Sequence, residues 1–183
     1  MSLHIALLRG INVGGHAMLA MADLRELLNT LGFRDARTLL QSGNVVFSGG
    51  ARGGAPLEAQ LEKETLKRLG LRTAYLVRSV DEWADVIARN PFPGEAKRDP
   101  GHLVVMFLKA APEADAVGAL SAGISGREVI RADGRHLYIT YPDGQGRSKL
   151  TGTLIEKKLG TIGTARNWNT VLKVAALVEG PGS

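Results

Sequence analysis

The chain has 183 residues, 44% of them hydrophobic and 22% charged; it is long enough to bury a core, and its lack of cysteine excludes disulfides, thiolate metal sites and thiol nucleophiles. A net charge of +5 favours anionic partners, but the excess is scattered, +4 over residues 1–79 and +1 over 80–183, without the basic stripe of a nucleic-acid binder. No apolar run approaches the roughly 18 residues of a membrane helix and no leader pattern opens the chain, so a cytoplasmic protein with no membrane attachment is expected.

Leu3, Ile5 and Leu7 predict a first strand over 3–8. Apolar residues at helical spacing predict a helix over 20–31, stopped by Gly32. Two short runs, 36–41 and 44–48, flank Ser42-Gly43 and read as a hairpin. The loop 49–54 follows, then a helix from Pro56 to Leu69 closed by Gly70, then a strand over 73–78. This βαββαβ order is the ferredoxin-like pattern. Val80, Trp83, Val86 and Ile87 make a short helix, and Asn90-Pro91-Phe92-Pro93-Gly94 marks a boundary. Residues 102–108 predict a buried strand, Pro112 opens a helix, and 126–131 with 136–141 form a hairpin about Asp133-Gly134. A helix through Leu150, Leu154 and Leu159 ends at Gly160, and a last helix starts near Asn167. The fold class is therefore α+β with two subdomains: 1–79 ferredoxin-like, 80–100 a helix and Pro-rich linker, and 101–183 a related βαββα arrangement with a C-terminal helix.

Three segments carry candidate chemistry. The first is Arg9-Gly10-Ile11-Asn12-Val13-Gly14-Gly15, a glycine-rich turn from strand to helix that uncovers backbone N–H groups. Gly10 and Gly15 have P-loop spacing, but His16-Ala17 replaces the Lys-Ser/Thr that such a loop needs. The G-x-G-x-x-G dinucleotide pattern is also missing. What remains is either an anion-binding nest or a tight turn needing positive φ. Ferredoxin-like strand order carries Ser42-Gly43-Asn44 to the same rim, although Ser and Asn are also ordinary turn residues. The second segment is Tyr141 to Lys149, where Arg147 and Lys149 flank a helix entrance and Ser148 suits its N-cap. The third is Thr164 to Thr170: Asn167 fits an N-cap, Arg166 suits a bidentate anion clamp, and Trp168 is a core or site residue. If the second half follows the topology of the first, the second and third segments share one end.

His4 and His102 fall in expected strands as core or pairing residues, and the four histidines lack metal spacing. Asp143 and Glu156 are the acids nearest the candidate loops, with no catalytic constellation legible from spacing. No cofactor or metal is assigned, and whether the chain is an enzyme stays open.

Leu7–Gly15, Leu31-Gly32-Phe33, Gln41–Phe47 and Thr164–Val171 together resemble the bacterial family catalogued as domain of unknown function 1697. The resemblance implies an α+β protein with two subdomains, the first ferredoxin-like, and it implies no activity. Members tend to carry polar or basic residues soon after the double glycine, where this chain has Ala17-Met18-Leu19-Ala20.

The functional expectation is a small anionic, phosphate-bearing ligand held at Arg9, Gly10, Asn12, Gly14, Gly15, Ser42 and Asn44, with Arg147, Lys149, Arg166, Asn167 and Trp168 as a second wall. RNA binding across the first sheet is an alternative, although Asn44–Ser48 lacks stacking rings. A structural or partner-binding role is another. Oligomeric state is not legible.

Overall fold

The computed structural model describes residues 2–180. Among the described residues, eight strands and seven α-helices form two four-stranded antiparallel sheets with helices packed on them. The chain divides into two compact units, one running up to Asp85 and resuming at Lys173, the other Val86–Leu172. No helix among the described residues is long and apolar enough to cross a membrane.

In the first unit β1 (Leu3–Leu8), β2 (Arg34–Leu39), β3 (Asn44–Ser48) and β4 (Tyr75–Ser79) are ordered β2-β3-β1-β4. Ala6, Leu8, Val45, Phe47, Tyr75 and Val77 alternate onto one face of that sheet. There they meet Leu24 and Leu28 of α1 (Met21–Thr30) and Leu57 and Leu61 of α2 (Gly54–Leu69). Burying each such aliphatic chain contributes about 1.5–3 kcal/mol, which makes this layer the main source of the unit's stability. Gly32 ends α1 at φ +90°, and the amide of Phe33 returns to the carbonyl of Leu28 at 3.0 Å, as the sequence expects of a glycine stop.

The next helices are α3 (Val80–Ala88) and α4 (Pro93–Arg98). The latter stands where a linker is expected: Pro93 occupies the first turn, and the Asn90 side chain accepts from the amide of Phe92 at 3.0 Å. In the second unit β5 (Leu103–Leu108), β6 (Val129–Asp133), β7 (His136–Thr140) and β8 (Gly163–Asn167) are ordered β6-β7-β5-β8. Helices α5 (Ala114–Ala122) and α6 (Gly152–Leu159) cover the face bearing Val104, Met106, Leu108, Leu137 and Ile139. The last helix is α7 (Trp168–Glu179).

The second unit is thus a full βαββαβ pattern, one strand more than the sequence predicts. Gly163-Thr164-Ala165-Arg166-Asn167 lacks the apolar alternation that identifies a strand, and its pairing with β5 supplies what its composition does not. The registers of the two sheets also correspond, apart from a bulge between Arg34 and Arg37 in β2 that β6 lacks. Arg37, Val46, Ile5 and Arg78 form one row across the first sheet. Arg131, Tyr138, Val105 and Arg166 form the same row across the second. In both, the row lies on the face away from the helix-packed residues.

His102 is not in a strand but in a short 3₁₀ turn, Pro100–His102, exposed with Nδ1 3.0 Å from Asp99 Oδ2. His4 is a core residue of β1, its Nε2 2.9 Å from the carbonyl oxygen of Gly49.

The closest packing in β8 is at Gly163, where a Cβ would lie 2.5 Å from the Phe107 carbonyl oxygen and 2.9 Å from Leu108 Cδ2. Gly163→Ala is expected to destabilise the protein by about 2 kcal/mol, because the obstacle is backbone and cannot rotate away. Urea unfolding monitored by circular dichroism measures it.

Candidate functional site

The two units have the same frame but different connectors. In the second unit β5 reaches α5 through five residues, 109–113; in the first, β1 reaches α1 through twelve, 9–20. The reverse holds after the hairpins: 49–53 joins β3 to α2, whereas 141–151 joins β7 to α6. The short versions show that the frame does not need the extra length. Long connectors in a compact domain are where binding and catalytic groups concentrate. Each unit therefore has one enlarged connector, and both coincide with segments singled out from sequence.

In the first unit the two polar turns meet. The amide of Leu8 donates to the carbonyl of Gly43 at 2.9 Å, and Asn12 Nδ2 donates to the carbonyl of Gln41 at 2.7 Å. Gly43 has φ +86°, and a Cβ there would lie 2.7 Å from Ile11 Cδ1, so only glycine allows the approach. Asn12 itself adopts φ +54° and closes the loop from inside. Its Nδ2 also donates to the carbonyl of Leu19 (2.9 Å), and its Oδ1 accepts from the amide of Leu19 (2.7 Å). Asn44 is fully buried and donates to the carbonyl of Leu39 at 2.7 Å and to Ser42 Oγ at 3.1 Å. These amide side chains shape the turns. Gly14 and Gly15 are exposed at positive φ beside the exposed side chains of Val13 and Met18, while Gly10 (φ +66°) and half-buried Arg9 sit at the loop's root. The Arg9 carbonyl accepts from Thr73 Oγ1 at 2.8 Å.

In the second unit the 141–151 connector borders a cavity of about 560 Å³. Arg147, Lys149 and Lys158 stand around it, and Leu120, Ile124 and Leu154 give it an apolar lining. None of the three cations makes an ion pair among the described residues. Lys158 escapes the sequence reading; the one signal for it is the Lys157-Lys158 pair in the last turn of α6. Two acids also border the cavity. Asp143 is held by Arg127 in a bidentate ion pair, which keeps its carboxyl below the usual range, through the Arg127 hydrogen bond first. Glu128 accepts from Ser148 Oγ at 2.5 Å, and that Oγ accepts from the amide of Leu150 at 3.0 Å.

Ser148 is therefore a clamp within the connector and not the N-cap expected of it. The cap is Thr151, whose Oγ1 accepts from the amide of Leu154 at 3.2 Å, because α6 starts at Gly152. Tyr141 opens the connector and ties down its far end, its hydroxyl donating to the carbonyl of Leu150 at 2.8 Å. Glu156 accepts from the amide of Gly163 at 2.9 Å, a structural role.

Asn167 caps α7 as predicted, accepting from the amide of Thr170 at 3.0 Å. Register places it and the 141–151 connector at one end of the sheet, since Leu103 pairs with Thr140 and Val104 with Asn167. Arg166 is nevertheless absent from the cavity. It is a strand residue facing away from α5 and α6, buried, with Nη1 donating to Thr164 Oγ1 (2.8 Å) and the Ala165 carbonyl (2.9 Å). Burial lowers its guanidinium pKa to about 10. Trp168 is buried, the core outcome of its two readings. Among the described residues no three His, Asp or Glu side chains gather as metal ligands.

Asn12→Ala removes three hydrogen bonds from the 9–20 connector and is expected to cost about 2–3 kcal/mol at roughly 1 kcal/mol each. Limited proteolysis is expected to cut the variant within residues 9–20 earlier than the wild type. Burial also holds the phenols of Tyr75 and Tyr141 up at about 12. The folded state favours neutral phenol, so this contribution is complete below pH 10 and is lost as pH rises to about 12. Denaturation at stepped alkaline pH, with tyrosinate absorbance recorded in parallel, is expected to show stability falling across that window.

The fold recurs in a conserved bacterial protein from Streptococcus pneumoniae, SP0830, at a TM-score of 0.74 and 22% identity, over 97% of this chain and 98% of that one. No curated protein matches the sequence. A family model matches residues 1–138, a span that holds the whole 9–20 connector and stops before the 141–151 connector. By that match the chain belongs to the family described as Protein of unknown function (DUF1697).

Proposed function

We propose that this protein binds a small phosphate-bearing anion in the cavity beside the 141–151 connector. The observation that carries the reading is the convergence of Arg147, Lys149 and Lys158, without ion-pair partners among the described residues, on one concave space. A single exposed cation contributes little, but three lining one recess add their attraction for an anion placed among them. Guanidinium and ammonium groups together suit phosphate, the first as a planar donor and the second as a point charge.

The connector is itself a glycine-punctuated passage from strand to helix, with Gly144 at φ +87°. Its two ends are held by the Tyr141 and Ser148 hydrogen bonds, which limits the ordering cost of binding. The Arg127 pair offsets the charge of Asp143, so that acid opposes an incoming anion less. The 9–20 connector is a weaker candidate for the same ligand, because the Asn12 amide is engaged inside its own loop. A cytoplasmic setting belongs to the same proposal, supported by the absence of cysteine.

Thermal unfolding with and without phosphate tests the reading. At ten times its dissociation constant, phosphate stabilises the folded state by about 1.4 kcal/mol and raises Tm by roughly 3–5 °C. Arg147→Ala combined with Lys149→Ala is expected to abolish that rise while leaving Tm without phosphate nearly unchanged, since both side chains are exposed. A shift that survives the double substitution would place the site elsewhere.

A further inference from the structure

Resting on the anion-binding reading, we infer that the ligand is a phosphate monoester with a compact apolar body, aryl or branched alkyl, and not free phosphate or a sugar phosphate. Size is the first argument. Water occupies about 30 Å³ in the liquid, and phosphate has only five heavy atoms. A cavity of about 560 Å³ leaves most of its space to another part of the ligand. It lies in the range of roughly 300–1,000 Å³ that encloses drug-sized molecules.

The lining is the second argument. Leu120 and Leu150 are buried and Ile124 and Leu154 half-buried at the cavity wall, so much of the lining beside the cations is aliphatic. Ser125 is the one hydroxyl side chain lining it among the described residues. The two carboxylates at its edge are already engaged by Arg127 and Ser148. A sugar brings several hydroxyl groups, and each one placed against leucine and isoleucine without a partner loses its hydrogen bonds to water. An aryl or alkyl body loses nothing there and gains from burial.

Charge is the third argument. A phosphate monoester carries close to two negative charges at neutral pH, and the three cations, even against the Glu128 carboxylate that Ser148 hydrogen-bonds without neutralising, leave a positive excess that suits it better than a single carboxylate. The site therefore sorts ligands by charge and by the polarity of the body attached to it.

Isothermal titration with phenyl phosphate, glycerol phosphate, inorganic phosphate and benzoate tests this on the wild-type protein. Phenyl phosphate is expected to bind at least tenfold more tightly than each of the others. Leu154→Gln is expected to reduce that preference at least fivefold while inorganic phosphate binds as before. The comparison among ligands needs only the wild type, so it stands even if the Leu154 variant fails to fold. Equal affinity for the three phosphates, lost on Arg147→Ala with Lys149→Ala, would overturn the apolar-body inference and leave anion binding in place. Benzoate binding as tightly as phenyl phosphate would overturn the preference for phosphate. No binding of any probe, or binding indifferent to the cation substitutions, would remove both readings.

Discussion

The antiparallel pairing of β1 with β3 and β4, repeated by β5 with β7 and β8, is the constraint on which the molecule depends. A one-residue slip would turn every buried side chain of the strand to the opposite face. Ala6 and Leu8, or Met106 and Leu108, would then leave the helix-packed layer. That penalty fixes the register, and the register fixes where each connector leaves its sheet. Gly43 reaches Leu8 and Ile11, and Asn167 comes to the same end as Tyr141, as consequences of strand pairing.

A shared frame makes the departures informative. Where one unit crosses from strand to helix in five residues and the other uses eleven or twelve, the added segment answers to something besides chain connection. The two enlarged connectors are built differently. Residues 9–20 are held by one internal amide side chain and present exposed Val13, Gly14, Gly15 and Met18. Residues 141–151 are held at their ends and leave Arg147 and Lys149 beside a cavity. The first arrangement uses its polar groups to hold its own shape; the second leaves charge available to a guest.

Arg147 and Arg166 show how little residue type decides. Both lie in polar segments near a helix entrance in the sequence. Arg166 belongs to β8, faces away from α5 and α6, and is buried far enough to lower its pKa. Arg147 stands on a loop at the mouth of a cavity and remains exposed. The side chains are chemically identical, and the surroundings assign one to the sheet and the other to the site.

Hydrophobic periodicity, glycine stops and the turn residues at Ser42-Gly43 and Asp133-Gly134 were enough to read most of the elements, the α+β class and the ferredoxin-like order of the first unit, because these signals act within a few residues of chain. The glycine-rich and basic connectors were legible for the same reason. β8 was not, since a strand of Gly, Thr, Ala, Arg and Asn owes its conformation to β5 and not to its own composition. Nor were the engagement of Asn12 and Asn44 inside their turns, the Glu128 clamp on Ser148, or the meeting of Lys158 with Arg147 and Lys149. Those depend on residues distant in sequence becoming neighbours in space, and only the folded chain decides which polar groups find partners within it and which stay open to a ligand.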